Sequence, residues 1–417
     1  MTETSRFAFD ERVRFLTELG RRLHIAGVSA SRLEGAVKSV ATSIGVTCEI
    51  WSSPTGLLLS LGDADAMTTT QQTRVLRLDP GEIHLGNLAA LDRIAENVVR
   101  GTMTLEEAWS AMRALDRAVT TKQQLATVAA FGLAAASVAG LLRTGWVDIA
   151  VAGVLGLVIG WIALLSSTRP HLSAASEAVA ALVATTLATA FAHFVAPLTL
   201  QTVIVAALIV LMPGLTLTTA IAELASQQLV TGTTRFAGAL MVLLKLTFGS
   251  VAASQLMLAI GWIPQPAVTT ALPQWVEIVA AMAASFAFAV LFRAARRDVL
   301  LVMTSAALGY VLTRVGGVWF GPMGSGTFAG AVFFSSFVMA ALANLYGRKR
   351  GRPGALVRVP GIMLLVPGSV GFRAVSFVME RDYALGLDTL VAVLSALLAL
   401  VAGLLFGSLL IPPRRYL

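Results

Sequence analysis

The sequence predicts a mainly α-helical membrane protein: ten transmembrane helices arranged as a five-plus-five inverted repeat, preceded by a small α+β cytoplasmic domain. Three observations predict it. The 417-residue chain is 56% hydrophobic and only 13% charged, with a mean hydropathy of +0.79, far from the composition of a soluble globular protein. Apolar runs long enough to cross a hydrocarbon core of about 30 Å, roughly 20 helical residues each, recur ten times after Gln124. Those runs fall into two sets of five related by one shift of 154 residues.

Residues 1–123 have a soluble composition, with 14 Lys and Arg against 15 Asp and Glu. Met1–Arg22 is charged throughout and lacks the apolar core of a secretory signal, so this domain is expected to stay in the cytosol. Phe9–Leu23 has the period of an amphipathic helix. Ser31 with Glu34 three residues on reads as a capping box opening a second helix that runs to about Ile44, where Gly45 stops it. The runs VTCEIWSS and GLLLSL flank Pro54-Thr55 as a hairpin, and QQTRVLRL alternates as a third strand. Leu85–Arg100 and Leu105–Ala118 return to helical period, giving the order ααβββαα.

The spans are 124–142, 146–166, 174–194, 197–213 and 236–260 in a first repeat (124–260). They are 273–293, 298–316, 324–346, 355–379 and 385–411 in a second (273–411). Residues 124–417 carry 17 Lys and Arg against 8 Asp and Glu, so the formal net charge of +8 belongs to the membrane part. Basic residues between spans determine topology before they bind anything, so nucleic acid is not an expected partner. With the N-terminus inside, the inside loops and tail hold 12 basic residues: Arg169, Arg235, Arg293, Arg296, Arg297, Arg348, Lys349, Arg350, Arg352, Arg358, Arg414 and Arg415. The outside holds 4: Arg143, Arg314, Arg373 and Arg381. Both termini are therefore expected on the cytoplasmic side.

The 154-residue shift lays Pro213-Gly214 over Pro367-Gly368, Gly232 over Gly386 and Gly249 over Gly403. An odd number of crossings per copy makes the second copy insert in the opposite sense, the inverted-repeat plan of secondary transporters. Proline removes a helical hydrogen bond and clashes with the preceding turn, so each Pro-Gly predicts a broken helix. In lipid, a break is tolerated where its freed backbone groups face protein, water or a ligand. Two breaks that face each other frame a central substrate site, whereas breaks at the membrane surfaces are ordinary loops.

These segments resemble the threonine/serine exporter family. The resemblance rests on LHIAGVSASRLEGAVKSVATSIGVTCEIWSSPTGLLLSL in the first domain, MPGLTLTTAIAELASQQLVTGTTRFAGALM in the first repeat and VPGSVGFRAV in the second. It implies proton-driven export of threonine and serine across a bacterial cytoplasmic membrane, with the amino acid, protons and lipid as partners. A homo-oligomer is compatible with this reading. His24, Gly27 and Glu34 match the family's opening block, and Arg235 matches its Gly-x-x-Arg. Glu223 stands where the family pattern has an Asp, which keeps the carboxylate and changes its reach.

An amino-acid exporter needs groups for an ammonium, a carboxylate and a coupled proton, and ionisable residues within spans are the first candidates. Glu223, ten residues after Pro213, is one for cation recognition or proton coupling, because a carboxylate raised in pKa by partial burial titrates near neutrality. The bland alternative is a solvated Glu on an amphipathic segment. Lys245, inside span five, is placed to receive a substrate carboxylate or to pair with Glu223; the alternative is a Lys paired within the bundle for structure only. Arg373, six residues after Pro367, either holds a substrate carboxylate or snorkels to the surface. Glu177 and Glu277 lie near span starts, and Asp388 reads as a helix cap. Thr216, Thr218, Thr219 and Ser369 offer hydroxyls beside the breaks, although such residues are also common helix–helix contacts.

One cysteine, Cys48, excludes a disulfide framework and a Cys-based zinc or iron–sulfur site, and the four scattered His argue against a His-rich metal site. There is no Walker A, nucleotide-binding glycine pattern or HExxH. No cofactor, metal or catalytic residue is expected, and the chain reads as a non-enzyme. The leading hypothesis is a secondary exporter of small hydroxy amino acids with its site at the two breaks. The alternatives are a transporter of another small polar solute, or a membrane-anchored signalling or hydrolytic protein acting through the N-terminal domain.

Overall fold

The computed structural model describes residues 8–64, 71–116, 119–265, 267, 272–320 and 327–413. The first seven elements follow the expected order: α1 (Phe9–Ile25), α2 (Ala30–Ser43), β1 (Val46–Ser53), β2 (Gly56–Asp63), β3 (Gln71–Arg77), α3 (Leu85–Val99) and α4 (Leu105–Arg113). The strands form one antiparallel sheet in the order β1-β2-β3, and Ser53 pairs with Gly56 to close the hairpin over Pro54-Thr55. Alternation along β2 turns Leu57, Leu59 and Leu61 to one face, where they form a buried core with Leu16, Leu19, Leu23, Leu33 and Val37 of α1 and α2.

Two local expectations change here. The second helix starts at Ala30 with Ser29 as its N-cap, and no side chain caps it. Glu34 closes no capping box because its carboxylate turns to the sheet, where Oε1 accepts the Ser52 N–H at 2.8 Å. The last helix of the group stops at Arg113, short of Ala118, and positions 117 and 118 lie outside the described residues.

The remaining helices are α5 (Thr121–Leu141), α6 (Trp146–Ser166), α7 (Pro170–Phe194), α8 (Leu200–Leu208), α9 (Gly214–Ala225), α10 (Leu229–Ala259), α11 (Gln274–Leu291), α12 (Val299–Phe320), α13 (Thr327–Arg350), α14 (Ala355–Met363), α15 (Gly368–Met379) and α16 (Tyr383–Leu410). Among the described residues, nine helical segments are long and apolar enough to cross a membrane. The expected span 197–213 is not one of them. It is α8, an irregular stretch ending in Pro213, and then α9, so the boundary drawn at 213 fell on a helix break rather than a helix end. The next helix begins at Leu229 instead of 236. Arg414 and Arg415 of the expected inside tail lie outside the described residues.

The order α5–α10 recurs as α11–α16, with a 3-10 turn at Arg296–Asp298 before α12. Shifted by 154, α9 falls on α15 at both ends. The backbone repeats as well. Pro213 has φ −82°, ψ 43° and Pro367 has φ −82°, ψ 39°. Each is the centre of a three-residue turn, closed by Gly214 N–H to Met212 O at 2.8 Å and by Gly368 N–H to Val366 O at 2.9 Å. Past α9 and α15, Gln227 (φ 63°) and Arg381 (φ 67°) take the left-handed conformation at equivalent positions. Both ends close with the same long bond, Gln228 N–H to Glu223 O and Asp382 N–H to Phe377 O, each 2.9 Å. Asp388 is not a cap: it is exposed within α16, and Asp382 supplies the cap by accepting the Leu385 N–H at 3.2 Å.

Packing between the halves is reciprocal. Helix α9 packs on α16 as α15 packs on α10, while α9 meets α15 and α5 meets α11. The N-terminal elements dock on both halves. The Leu85 and Gly86 N–H groups of α3 donate to Phe292 O (2.9 Å) and Arg293 O (3.2 Å), satisfying carbonyls left free at the end of α11. Ala355 and Val359 of α14 join the hydrophobic cluster of the N-terminal sheet.

Candidate functional site

The two Pro-Gly breaks meet. A Cβ built on Gly368 would lie 3.1 Å from Gly214 Cα and 3.2 Å from Gly214 N, and one built on Gly214 would lie 3.4 Å from Gly368 Cα and collide with the Val366 side chain. Only glycine allows this approach. The N-termini of α9 and α15, each carrying unsatisfied N–H groups and the positive end of a helix dipole, therefore start from one point.

A cavity of about 220 Å³ lies between α8, α10 and α15. Its polar lining is Gln201 from α8, Ser250 and Ser254 from α10, and Arg373, Ser376 and Glu380 from α15 and its end. Phe372 and Phe377 form part of its wall. Arg373 does not point away to a partner in the protein: its Nε is buried and has no hydrogen-bond partner among the described residues. Ser250 is tied to Thr185 of α7, Oγ to Oγ1, at 2.9 Å. Buried polar groups are ordinarily satisfied, so an unmatched guanidinium N–H lining a small polar cavity is a donor open to a ligand. A carboxylate suits the guanidinium, and the cavity's amide, hydroxyls and Glu380 carboxylate suit a small polar or zwitterionic body.

Glu223 is 2% exposed. Its Oε2 accepts Arg235 Nε at 2.9 Å, its Oε1 accepts Arg235 Nη2 at 3.3 Å, and Oε1 also accepts the Ala30 N–H of α2 at 3.2 Å. The solvated-Glu alternative is therefore not the arrangement found. Lys245 does not pair with Glu223; it binds Glu177 at 2.8 Å and tethers α10 to α7, because Glu223 is already occupied by Arg235. Glu277 accepts the Tyr310 hydroxyl and lies 3.3 Å from Arg314.

The hydroxyls divide. Thr219 donates back to Leu215 O at 2.8 Å within its own helix, whereas Thr218 is 3% exposed with an unpartnered Oγ1. Thr216 and Ser369 are half-buried in the first turns of α9 and α15. In the N-terminal domain, His24 is buried with Nε2 at 3.2 Å from Asp79 O, and burial pushes its imidazole below the usual range. Gly27 (φ +74°) lies so close to the Glu82–Ile83 backbone that a Cβ would come within 2.8 Å of it. Both hold the segment after β3 against α1. Glu34 links the sheet to the membrane part through Ser52 N–H and Gln228 Nε2 (3.2 Å), and burial raises its carboxyl above the ordinary value. Burial also pushes the Cys48 thiol up to about 11.

Sequence reasoning reached Arg373 and the two breaks and missed Gln201, Ser250, Ser254, Ser376 and Glu380. Single hydroxyls on apolar helices carry no signal of their own. The shared feature that points to them is their place beside the break or on the helix facing it.

A threonine/serine exporter family model matches residues 14–257, and a second, described as "Threonine/Serine exporter, ThrE", matches residues 277–410. Similar curated proteins include pheromone-regulated membrane protein 10 of Debaryomyces hansenii, 23% identical over 373 residues covering 87% of this chain and 36% of that protein. The Kluyveromyces lactis protein of that name is 26% identical over 377 residues, covering 87% and 38%. An uncharacterised Schizosaccharomyces pombe protein is 24% identical over 377 residues, covering 86% and 48%. The chain thus spans about a third to a half of the length of these relatives. No solved structure gives a significant match.

Proposed function

The chain belongs to the threonine/serine exporter family of membrane transporters, and from that premise we propose that it is a secondary active exporter of threonine and serine whose substrate passes the meeting point of α9 and α15. The contact between Gly214 and Gly368 carries the reading. Two helix N-termini at a shared break offer their dipoles and free N–H groups to a substrate carboxylate. Arg373, in the second turn of α15, adds a guanidinium to the same pathway, and Glu380 at the far end of that helix suits the ammonium.

We read α8 with α9 as one broken crossing, the counterpart of α14 with α15, which makes ten crossings in two inverted sets of five. Three features support this: the shared backbone of the breaks, the reciprocal packing, and N-terminal contacts made by Glu223, Thr231, Phe292 and Ala355, all at helix ends that the charge asymmetry assigns to one side. On this reading both termini face the cytoplasm. The yeast relatives give no support to a bacterial inner membrane in particular. Proton coupling is assigned to Glu223, which must exchange Arg235 for a proton during the cycle.

Counterflow in proteoliposomes tests the reading. Internal threonine or serine should drive uptake of labelled threonine, and an imposed pH gradient should change its rate. If neither amino acid exchanges, the substrate assignment fails.

A further inference from the structure

Behind the wall of the cavity between α8, α10 and α15 lies a second polar layer. Ser250 of α10 lines the cavity, and its Oγ sits 2.9 Å from Thr185 Oγ1 of α7. Thr185 is fully buried and takes no part in the lining. Among the described residues neither hydroxyl makes another hydrogen bond. That sets the two apart from Thr219 and Ser376, which donate to the carbonyl four residues back in their own helices, at 2.8 and 3.0 Å.

Helix packing alone does not call for such a pair. The 154-residue shift lays Thr185 on Met339 and Ser250 on Leu404. Helix α13 packs on α16 as α7 packs on α10, so the same joint closes with apolar side chains in the second half.

The protons fix the direction of the bond. Each hydroxyl has one proton to give and two lone pairs to receive. One proton is spent between the two oxygens, and one is left over. With Ser250 as donor, the leftover proton stays on Thr185, buried and without an acceptor, which is unfavourable. With Thr185 as donor, it stays on Ser250 and is available to the cavity that Ser250 lines. The Ser250 oxygen then offers one bond and keeps a lone pair to receive another. A solute group that accepts and donates at a single atom is a hydroxyl. A carboxylate only accepts and an ammonium only donates, and those ends are matched by Arg373 and Glu380 of the same lining.

We propose that Ser250 reads the side-chain hydroxyl of the transported amino acid, and that Thr185 is a positioning residue that holds Ser250 as a donor toward the cavity. This rests on the exporter reading above and names the part of the site that separates threonine and serine from amino acids without the hydroxyl.

Competition against labelled threonine counterflow, with the full chain in proteoliposomes, tests this. The competitors are unlabelled threonine and 2-aminobutyrate, which lacks only the hydroxyl. One neutral hydrogen bond corresponds to about fivefold in affinity, so 2-aminobutyrate should need at least that much more than threonine in the parent. Thr185→Val keeps the side-chain shape and removes the donor. It should raise the half-inhibiting concentration of threonine about fivefold and leave that of 2-aminobutyrate, and the maximal rate, unchanged. Thr185→Ser should restore the selectivity. Ser250→Ala should lose it, and the double variant should be no worse than Ser250→Ala alone, because both changes act through one hydroxyl. Thr247→Val is the control: it removes a buried α10 hydroxyl that lies outside the lining and has no partner among the described residues. A parent-like ratio in Thr185→Val or Ser250→Ala, in protein that exchanges threonine, overturns the proposal and spares the exporter reading. Equal weakening of both competitors makes the pair a packing contact and overturns it as well. No threonine exchange in the parent sinks the exporter reading, and the hydroxyl assignment with it.

Discussion

Both carboxylate oxygens of Glu223 are held by the guanidinium of Arg235, Nε to Oε2 at 2.9 Å and Nη2 to Oε1 at 3.3 Å, across the turn that joins α9 to α10. The pair locks the two helices at the point where the N-terminal domain touches them. Removing one partner leaves the other charge without its match in a site that water barely reaches.

Arg235→Met should therefore destabilise the protein by about 3 kcal/mol, the low end for breaking a buried pair, since the Arg235 side chain keeps 18% of its exposure. Denaturation in detergent measures this, and Glu223→Gln added to Arg235→Met should recover part of the loss. Glu223→Gln alone should leave membrane insertion intact and flatten the pH response of export. An unchanged pH response would remove Glu223 from the coupling step.

Gly214→Ala and Gly368→Ala each force a methyl into the facing break. Overpacking of this kind costs about 1–3 kcal/mol, and transport should fall with it. Gly238→Ala, where an added Cβ meets nothing within 4 Å, is the control and should be silent. Equal effects at all three positions would show that the contact between the breaks is incidental.

Arg373→Gln should weaken threonine binding by about tenfold or more, the loss of a charge-assisted hydrogen bond, with protein yield unchanged. Arg373→Lys should not restore it, because a point charge does not reproduce the planar fork. The half-saturation concentration for counterflow reads both, and a wild-type value in either variant contradicts the assignment.

Glu34 gives a signed pH effect. Burial raises its carboxyl above the ordinary 4.5 in the folded protein, so its favourable contribution is complete below that value and is lost as pH rises through the folded pKa. Glu34→Gln should therefore gain stability relative to the parent as pH rises above 4.5. Melting curves across that range decide it, and a parent that gains relative to the variant reverses the sign.

What the sequence made legible were features with local causes. Strands β1 and β2 showed through alternation and Pro54-Thr55, and the breaks at Pro213 and Pro367 showed through the missing N–H of proline. Span four misled because a Pro-Gly ends a helix and breaks one with the same residues; only the equivalence with 355–379 tells which. Partners distant along the chain stayed hidden. Lys245 finds Glu177 rather than Glu223 at a separation of 68 residues, and Ala30 reaches Glu223 across 193. The Ser29–Ala30 start of α2 was missed because Ser31 and Glu34 satisfy the capping spacing, while the sheet claimed the Glu34 carboxylate first.

The turns ended by Gln227 and Arg381 share a backbone and no side-chain chemistry, and the same holds for Glu223 and Phe377, which occupy equivalent positions under the 154-residue shift. Two copies of one scaffold that exchanged conformations would be isoenergetic were their residues identical. For this chain such an exchange would be biased by substitution rather than by geometry: the shared backbone offers two equivalent arrangements, and the unlike residues would decide which is the ground state. Making the halves more alike, one residue pair at a time, would then bring the two arrangements closer in energy.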